Sequence, residues 1–244
     1  MKKNTPDKEI IIDLSRAESY FRADGMTILN RNFHFLQDTN FIKIHENLCD
    51  GTEEKKRIWK NHIFCSFFEN GLKIEGDLIE CGVYRGFSSA VACHYLNFQK
   101  FTKKKLFLFD TWDGIPNDQL DNIRKQYDII NKKYKSKENL LIVEKRFKKF
   151  KNVIKVKGKI PDTFKNIKLP KKISFLHLDM NTHIGEIAAL KVLFPRLVKG
   201  GVCLLDDFGM SLAKEQMLEE KKWFSKINYN ICELPTGQAF VIKH

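Results

Sequence analysis

The chain predicts an α/β protein with a Rossmann-like, doubly wound and mostly parallel sheet, an antiparallel edge hairpin and a helical amino-terminal arm. Three observations carry this expectation. Apolar runs of strand length recur at 77–82, 105–110, 153–158, 173–179 and 201–206, and most of them end on or near an acidic residue. Strands buried on both faces, and delivering side chains to one shared edge, have this pattern. Segments with helical spacing of apolar residues separate the runs, the alternation that builds parallel βαβ units. Two late apolar runs, 227–233 and 238–243, are joined by Pro235-Thr236-Gly237, which reads as a hairpin at a sheet edge.

Residues 1 to about 50 are polar with scattered aromatics (Tyr20, Phe21, Phe33, Phe35, Phe41) and show no regular sheet pattern, so a helical or irregular arm is expected. In 53–72 the residues Ile58, Trp59, Ile63, Phe64, Phe67 and Phe68 recur at helical spacing, and Asn70-Gly71 reads as a C-cap. The arm and helices of 1–72 are expected to pack on a main domain at 73–244. Within it, strand 77–82 leads to helix 87–99, and strand 105–110 leads to a helical region at 117–149. Strand 153–158, strand 173–179, helix 184–198, strand 201–206 and helix 212–225 then precede the hairpin. The longest interruption, 117–152, is rich in lysine. Ligands of open α/β sheets bind beyond the carboxyl ends of the strands, so this insertion reads either as a lid or as a solvated helical excursion.

With 244 residues, 43% of them hydrophobic, the chain can bury one substantial core. It has no apolar stretch of membrane-spanning length, and its charged start, MKKNTPDKEI, lacks a secretory signal. A cytoplasmic protein with no membrane partner is expected. Six widely spaced cysteines without a CxxC pair predict reduced, structural thiols. The net charge of +13 suits nucleic acid, an anionic membrane or phosphorylated substrates alike. Tyr127, Tyr134, Phe147 and Phe150 accompany the lysines of the insertion and admit a nucleic-acid reading. Helical packing explains them as well, and the acids at the strand ends favour an enzyme.

In ECGVYRG, Gly82 and Gly86 frame a turn between strand and helix, and the helix starting near Phe87-Ser88-Ser89 presents free N–H groups. The spacing is ExGxxxG rather than GxGxxG, which disfavours a nicotinamide dinucleotide. S-adenosyl-L-methionine suits the turn better, because it has a cationic centre and an amino-acid tail but no pyrophosphate. Asp110 ends the second strand, where a carboxylate can accept both ribose hydroxyls or cap its own turn with Asp113 and Gly114. Gly158 closes the third strand before Lys159 and Ile160, where an adenine can rest. An imidazole titrates near neutral pH, so His183 and His177 are candidate bases. His177 lies in an apolar strand, where a satisfied core histidine is the commoner outcome. Lys159 and Arg85 are candidates to neutralise an anionic acceptor.

In this order, ECGVYRG, FDTWDGIP, GKIPDTF, LHLDM, PRLVKGG and LLDDFG, over roughly 74–243, resemble the macrocin O-methyltransferase family of macrolide-sugar methyltransferases. The resemblance implies a class I O-methyltransferase that uses S-adenosyl-L-methionine with a divalent cation, usually Mg2+, and methylates a hydroxyl of a sugar or glycosylated small molecule. A catechol-like or other hydroxylated acceptor is the neighbouring alternative. It further implies a homodimer or higher homo-oligomer. Carried over by position, Glu80, Gly82, Val83, Tyr84, Arg85, Gly86, Ser88, Asp110, Thr111, Gly158 and Asp179 line the cofactor. Asp179, Asp206 and Asp207 hold the metal; Asp179 and Asp207 are then expected at the reaction, with His183 as the candidate base read from its own chemistry. The chain departs from the family pattern DMDLYEST with Asp179-Met180-Asn181-Thr182-His183-Ile184-Gly185-Glu186, so a carboxylate has become Asn181 and a tyrosine His183. DDYG has become Asp206-Asp207-Phe208-Gly209.

Overall fold

The computed structural model describes residues 19–120 and 128–244; the expectations for 1–18, and for Lys125 and Tyr127 in the insertion, lie outside the described residues. The first correction comes at once, because the arm contains sheet. Strands β1 (Tyr20–Ala23) and β2 (Met26–Leu29) pair antiparallel around Asp24-Gly25, both at positive φ. An Asp-Gly pair supplies the two left-handed residues that a tight hairpin needs. The strands are too short for alternation to stand out, so only this turn signalled them.

Helices α1 (Thr39–Leu48), α2 (Thr52–Lys55) and α3 (Ile58–Lys73) follow. The single helix expected at 53–72 is therefore broken at Lys56 and Arg57, and α3 runs through Asn70-Gly71 instead of capping there. Gly71 serves packing, since a Cβ on it would lie 2.9 Å from the Cβ of Phe175. The start of α3 has no cap from its own neighbours. Instead the hairpin turn supplies one: the amides of Trp59 and Lys60 donate to the carboxylate of Asp24 at 2.8 and 3.3 Å. A carboxylate there satisfies orphan N–H groups and complements the helix dipole. Phe21 and Phe33 pack on Trp59, with ring centroids 5.5 and 4.9 Å apart, and so tie the arm to the same turn of α3.

The main sheet has the order β5-β4-β3-β6-β7-β9-β8. Its strands are β3 (Asp77–Cys81), β4 (Leu106–Asp110), β5 (Val153–Lys157), β6 (Ile173–Leu178), β7 (Leu197–Leu205), β8 (Cys232–Glu233) and β9 (Ala239–Ile242). β3 to β7 are parallel, and β9 and β8 are antiparallel at one edge, as the sequence predicts. Alternate residues go to opposite faces. Leu78, Leu108, Phe175 and Leu204 join a core with α3 and α4 (Phe87–Tyr95). Ile79, Phe109, Leu176 and Leu205 join a second core on the other face, built with α7 (His183–Leu193) and α8 (Lys214–Lys226). The insertion holds α5 (Asp128–Tyr134) and α6 (Glu138–Phe147). Four cysteines, Cys65, Cys81, Cys93 and Cys203, are buried as free thiols. Among the described residues no helix is long and apolar enough to cross a membrane.

Several element ends differ from expectation. Helix 87–99 stops at Tyr95, where Asn97 turns to positive φ. Helix 184–198 stops at Leu193, because Pro195 lacks the N–H to continue it. β7 accordingly starts at Leu197, before the expected 201, and runs through Gly200-Gly201. The run 227–233 yields strand only at Cys232–Glu233.

Between α7 and α8 lie two fully buried carboxyls, Glu186 and Glu220. Burial and then the charge of Glu220 push the Glu186 carboxyl well above its ordinary range, and burial pushes Glu220 up to about 7. A carboxyl that keeps its proton longer in the folded state contributes stability fully below its unfolded value of 4.5 and loses it as pH rises through about 7. Glu220→Gln is therefore expected to exceed the parent in stability by about 1–3 kcal/mol near pH 8, with the gap closing near pH 4.5. Urea denaturation at the two pH values measures this, and a gap that does not change with pH contradicts it.

Candidate active site

Four backbone hydrogen bonds set the first residue beyond each strand into one row along the carboxyl edge of the sheet. The Gly158 amide donates to Asp110 O, Gly82 to Phe109 O, Asp179 to Cys81 O and Asp206 to Leu178 O, all at 2.8–2.9 Å. Above this row lies a cleft of about 1270 Å3, including its open mouth. Its walls include Glu80, Gly82, Val83, Tyr84, Arg85, Ser88, Asp110, Thr111, Gly158, Asp179 and Asp207. Predicted cofactor residues and two of the predicted metal ligands thus come from five parallel strands to one cavity, as the strand-end rule requires.

At the end formed by β3, β4 and β5, the chain turns sharply. Gly82 has φ +85°, and a Cβ there would stand 2.0 Å from the carbonyl oxygen of Asp179, so only glycine lets β3 and β6 end side by side. Gly86, also at positive φ, is the N-cap of α4, whose first residues Phe87 and Ser88 line the cleft and carry amides without an intrahelical partner. Asp110 is held more tightly than the sequence suggests. The amides of Val83 and Tyr84 donate to its Oδ2 at 2.6 and 2.8 Å, and that of Trp112 to its Oδ1 at 2.6 Å. Burial raises its carboxyl pKa while these three amides lower it. Its turn closes through Thr111, whose hydroxyl donates to Gly114 O at 2.6 Å. Tyr84, Trp112 and Asn181, the non-glycine residues just past β3, β4 and β6, all have positive φ, a strained conformation that concentrates at functional sites.

Glu80 lies on the cleft floor with both oxygens engaged: Ser89 Oγ donates to Oε2 at 2.5 Å, and His177 Nδ1 is 3.1 Å from Oε1. His177 is buried, and its Nε2 is 3.6 Å from Asp206 Oδ1. Burial alone would lower its pKa, but the neighbouring carboxyls of Asp206 and Glu80 raise it to about 10. His177 thus lies between Glu80 and Asp206 and is not part of the cleft wall.

At the other end, β7 stops at Leu205, so Asp206 and Asp207 lie on the turn and are not forced to opposite faces. With Asp179 they bring one carboxylate oxygen each to within 4.8 Å of one another. Burial, then Asp206 and Asp207, push the Asp179 carboxyl well above its ordinary range. Burial would raise Asp206 too, yet Lys60, His177 and Arg57 hold it well below. The oxygens of Asp206 are well supplied: Gln238 Nε2 donates to Oδ1 at 2.8 Å, and Lys60 Nζ to Oδ2 at 2.9 Å. Asn181 Nδ2 donates to Asp179 Oδ1 at 3.1 Å.

His183 opens α7 and is not part of the cleft wall, so the structure does not bring this predicted catalytic residue to the cavity. Lys159 pairs with Asp118 at 2.5 Å, and Arg85 with Asp50 at 2.7 Å. Three residues near the acids escape the sequence reading. Arg57 lines the cleft, Lys60 reaches Asp206 from α3, and Gln238 reaches it from the hairpin turn. Their distance in sequence from the acids they serve hides them. The one signal was the pair of cations Arg57 and Lys60, three residues apart where α3 begins. Trp112 and Tyr134 complete the wall, the latter contributed by the insertion and set edge-on to Tyr84 at 5.3 Å.

A doubly wound sheet with this turn after its first core strand and paired acids after its last parallel strand belongs to the Rossmann-like class. The macrocin-O-methyltransferase (TylF) family model matches residues 66–240, and the chain belongs to that family. Comparison with curated proteins gives no match. Among solved structures it is similar to the O-methyltransferase NovP, with 21% identity, a TM-score of 0.64, and 76% of this chain and 80% of that one covered. It is also similar to the calicheamicin methyltransferase CalS11, at 12% identity and a TM-score of 0.60, covering 88% of this chain and 94% of that one. A third, the Podospora anserina methyltransferase PaMTH1, has 12% identity and a TM-score of 0.57, with 89% and 98% covered.

Gly82→Ala, placing a methyl against the Asp179 carbonyl at a positive φ, is expected to cost more than about 3 kcal/mol and to abolish donor binding. Chemical denaturation and calorimetry measure the two effects; a variant that folds and binds like the parent contradicts the packing described.

Proposed function

We propose that the protein transfers a methyl group from S-adenosyl-L-methionine to a hydroxyl of a sugar or glycosylated small molecule, assisted by a divalent cation held by Asp179, Asp206 and Asp207. The observation that carries the reading is the meeting of two chemistries in one cavity. A glycine turn and a helix start lie at one end, and at the other Asp179 and Asp207 line the cavity with Asp206 buried beside them. The family membership supports the reaction and the acceptor class, and the related structure of PaMTH1 contains SAH.

The donor fits the glycine end. The first amides of α4 and Ser88 suit its carboxylate, Asp110 at the end of β4 suits a ribose hydroxyl, and Gly158 with Ile160 suits an adenine. When bound, it supplies an electrophilic methyl on a sulfonium. The cation fits the other end, because three carboxylate oxygens within 4.8 Å are a hard donor set of the kind that magnesium or calcium takes. When bound, it supplies charge that lowers the pKa of an acceptor hydroxyl, each unit corresponding to about 1.36 kcal/mol.

The rest falls to the chain. The row of strand ends holds the donor side and the acid side at a fixed spacing, which aligns the hydroxyl oxygen behind the methyl for an in-line displacement. The new C–O bond forms as the C–S bond breaks, and the hydroxyl proton leaves toward Asp179 or Asp207, the carboxylates that face the cavity. Tyr134 and Lys133, on α5, line the mouth, and in this reading the insertion covers the bound molecules as a lid and excludes water.

Labelled methyl transfer to a panel of glycosylated acceptors tests the reading. Activity is expected to vanish in chelator and return with Mg2+, and Asp207→Asn is expected to lower kcat by about 100-fold or more. Transfer that is indifferent to both chelator and Asp207→Asn overturns the metal-assisted mechanism.

A further inference from the structure

The most closely engaged cation in the acidic cluster belongs to the chain itself. Lys60 Nζ lies 2.9 Å from Asp206 Oδ2, 3.1 Å from the backbone oxygen of Asp206 and 3.9 Å from Asp207 Oδ1, with its side chain only 11% exposed. Its position is set from both ends. The Lys60 amide is capped by Asp24 of the arm hairpin at 3.3 Å, and its ammonium ends on the turn after β7. The other oxygen of Asp206 is supplied by Gln238 and faces His177. Both oxygens of Asp206 are thus engaged, one by Gln238 and one by Lys60, and a further ligand has to share one of them. An oxygen lone pair that accepts an ammonium proton is not available to a metal, and a divalent ion sharing the same carboxylate would stand a few ångströms from a fixed positive charge.

We propose that Lys60 is a tethered counter-ion of the Asp179–Asp206–Asp207 cluster, which a divalent cation has to displace from Asp206 or work against. The chain's own ammonium then sets how tightly the cation binds. This rests on the metal reading above. It has two consequences. Without metal, Lys60 relieves the repulsion among three crowded carboxylates, and with metal, its charge weakens the binding. The arm joins the site through this residue, since the Asp24 turn fixes the helix end from which Lys60 reaches the aspartates.

Calorimetric titration of the full chain with MnCl2 and MgCl2, alongside melting temperatures with and without each ion, tests the proposal in the parent, Lys60→Met and Lys60→Arg. Lys60→Met is expected to melt lower in chelator, to bind the ion at least about tenfold more tightly than the parent, and to gain more in melting temperature on adding it. Lys60→Arg, which keeps the charge, is expected to bind as weakly as the parent. A purely structural ion pair would lower the melting temperature of Lys60→Met equally with and without the ion. Should Lys60→Met not fold, Lys60→Gln, which keeps a hydrogen bond to Asp206 without the charge, gives the same comparison. Metal uptake by the parent with no tightening in the uncharged variant overturns the role of Lys60 and leaves the metal site standing. Absence of uptake in every variant overturns both.

Discussion

Parallel strands that stop level with one another are the constraint from which the cleft follows. β3 and β6 run side by side in register, Cys81 opposite Leu178, and the Asp179 amide closes their ladder on Cys81 O. The next residue of β3 then has to pass the Asp179 carbonyl with no side chain, which is why Gly82 stands there. Once that contact is set, the turn to α4, the clamp of Asp110 on Val83 and Tyr84, and the row of acids beyond β6 and β7 have little freedom left. Preorganisation of this kind is what a displacement reaction requires, since the enzyme's main task is to hold donor and acceptor in line.

Charge is the second organising element. Five acidic groups, Glu80, Asp110, Asp179, Asp206 and Asp207, gather at one sheet edge, and the chain answers each by a different device. Asp110 takes backbone amides. Glu80 and Asp206 share His177 from opposite sides, and Asp206 also takes Lys60 and Gln238. Asp179 and Asp207 remain turned to the cavity. Burying charges is costly unless they are paired, and these two have partners as well: Asn181 donates to Asp179, and Lys60 lies 3.9 Å from Asp207.

Much of this was legible in the sequence, for identifiable reasons. Strands buried on both faces give near-continuous apolar runs, so the central sheet, its order of alternation and the acids at its ends could be read directly. Helix and strand limits were harder to place. Gly71 looked like a cap but is a packing contact against Phe175, and Pro195 ended a helix that periodicity alone would carry on. The arm hairpin was missed because four-residue strands carry little pattern. Lys60 and Gln238 were invisible for a different reason, because their role depends on long-range packing that brings α3 and the β8–β9 turn to Asp206. His183 shows the reverse. It follows a strand end in sequence, yet the first turn of α7 takes it off the cleft wall.

The proposed function requires the donor and the cation to meet over one row of strand ends. A crystal structure of the protein with S-adenosylhomocysteine and Mn2+, read by anomalous scattering, tests this directly. The predicted result is a single manganese peak about 2.1–2.4 Å from carboxylate oxygens of Asp179, Asp206 and Asp207, with the thioether of the product over the Gly82–Gly86 turn facing it. A peak elsewhere, or the product bound outside this cleft, contradicts the account.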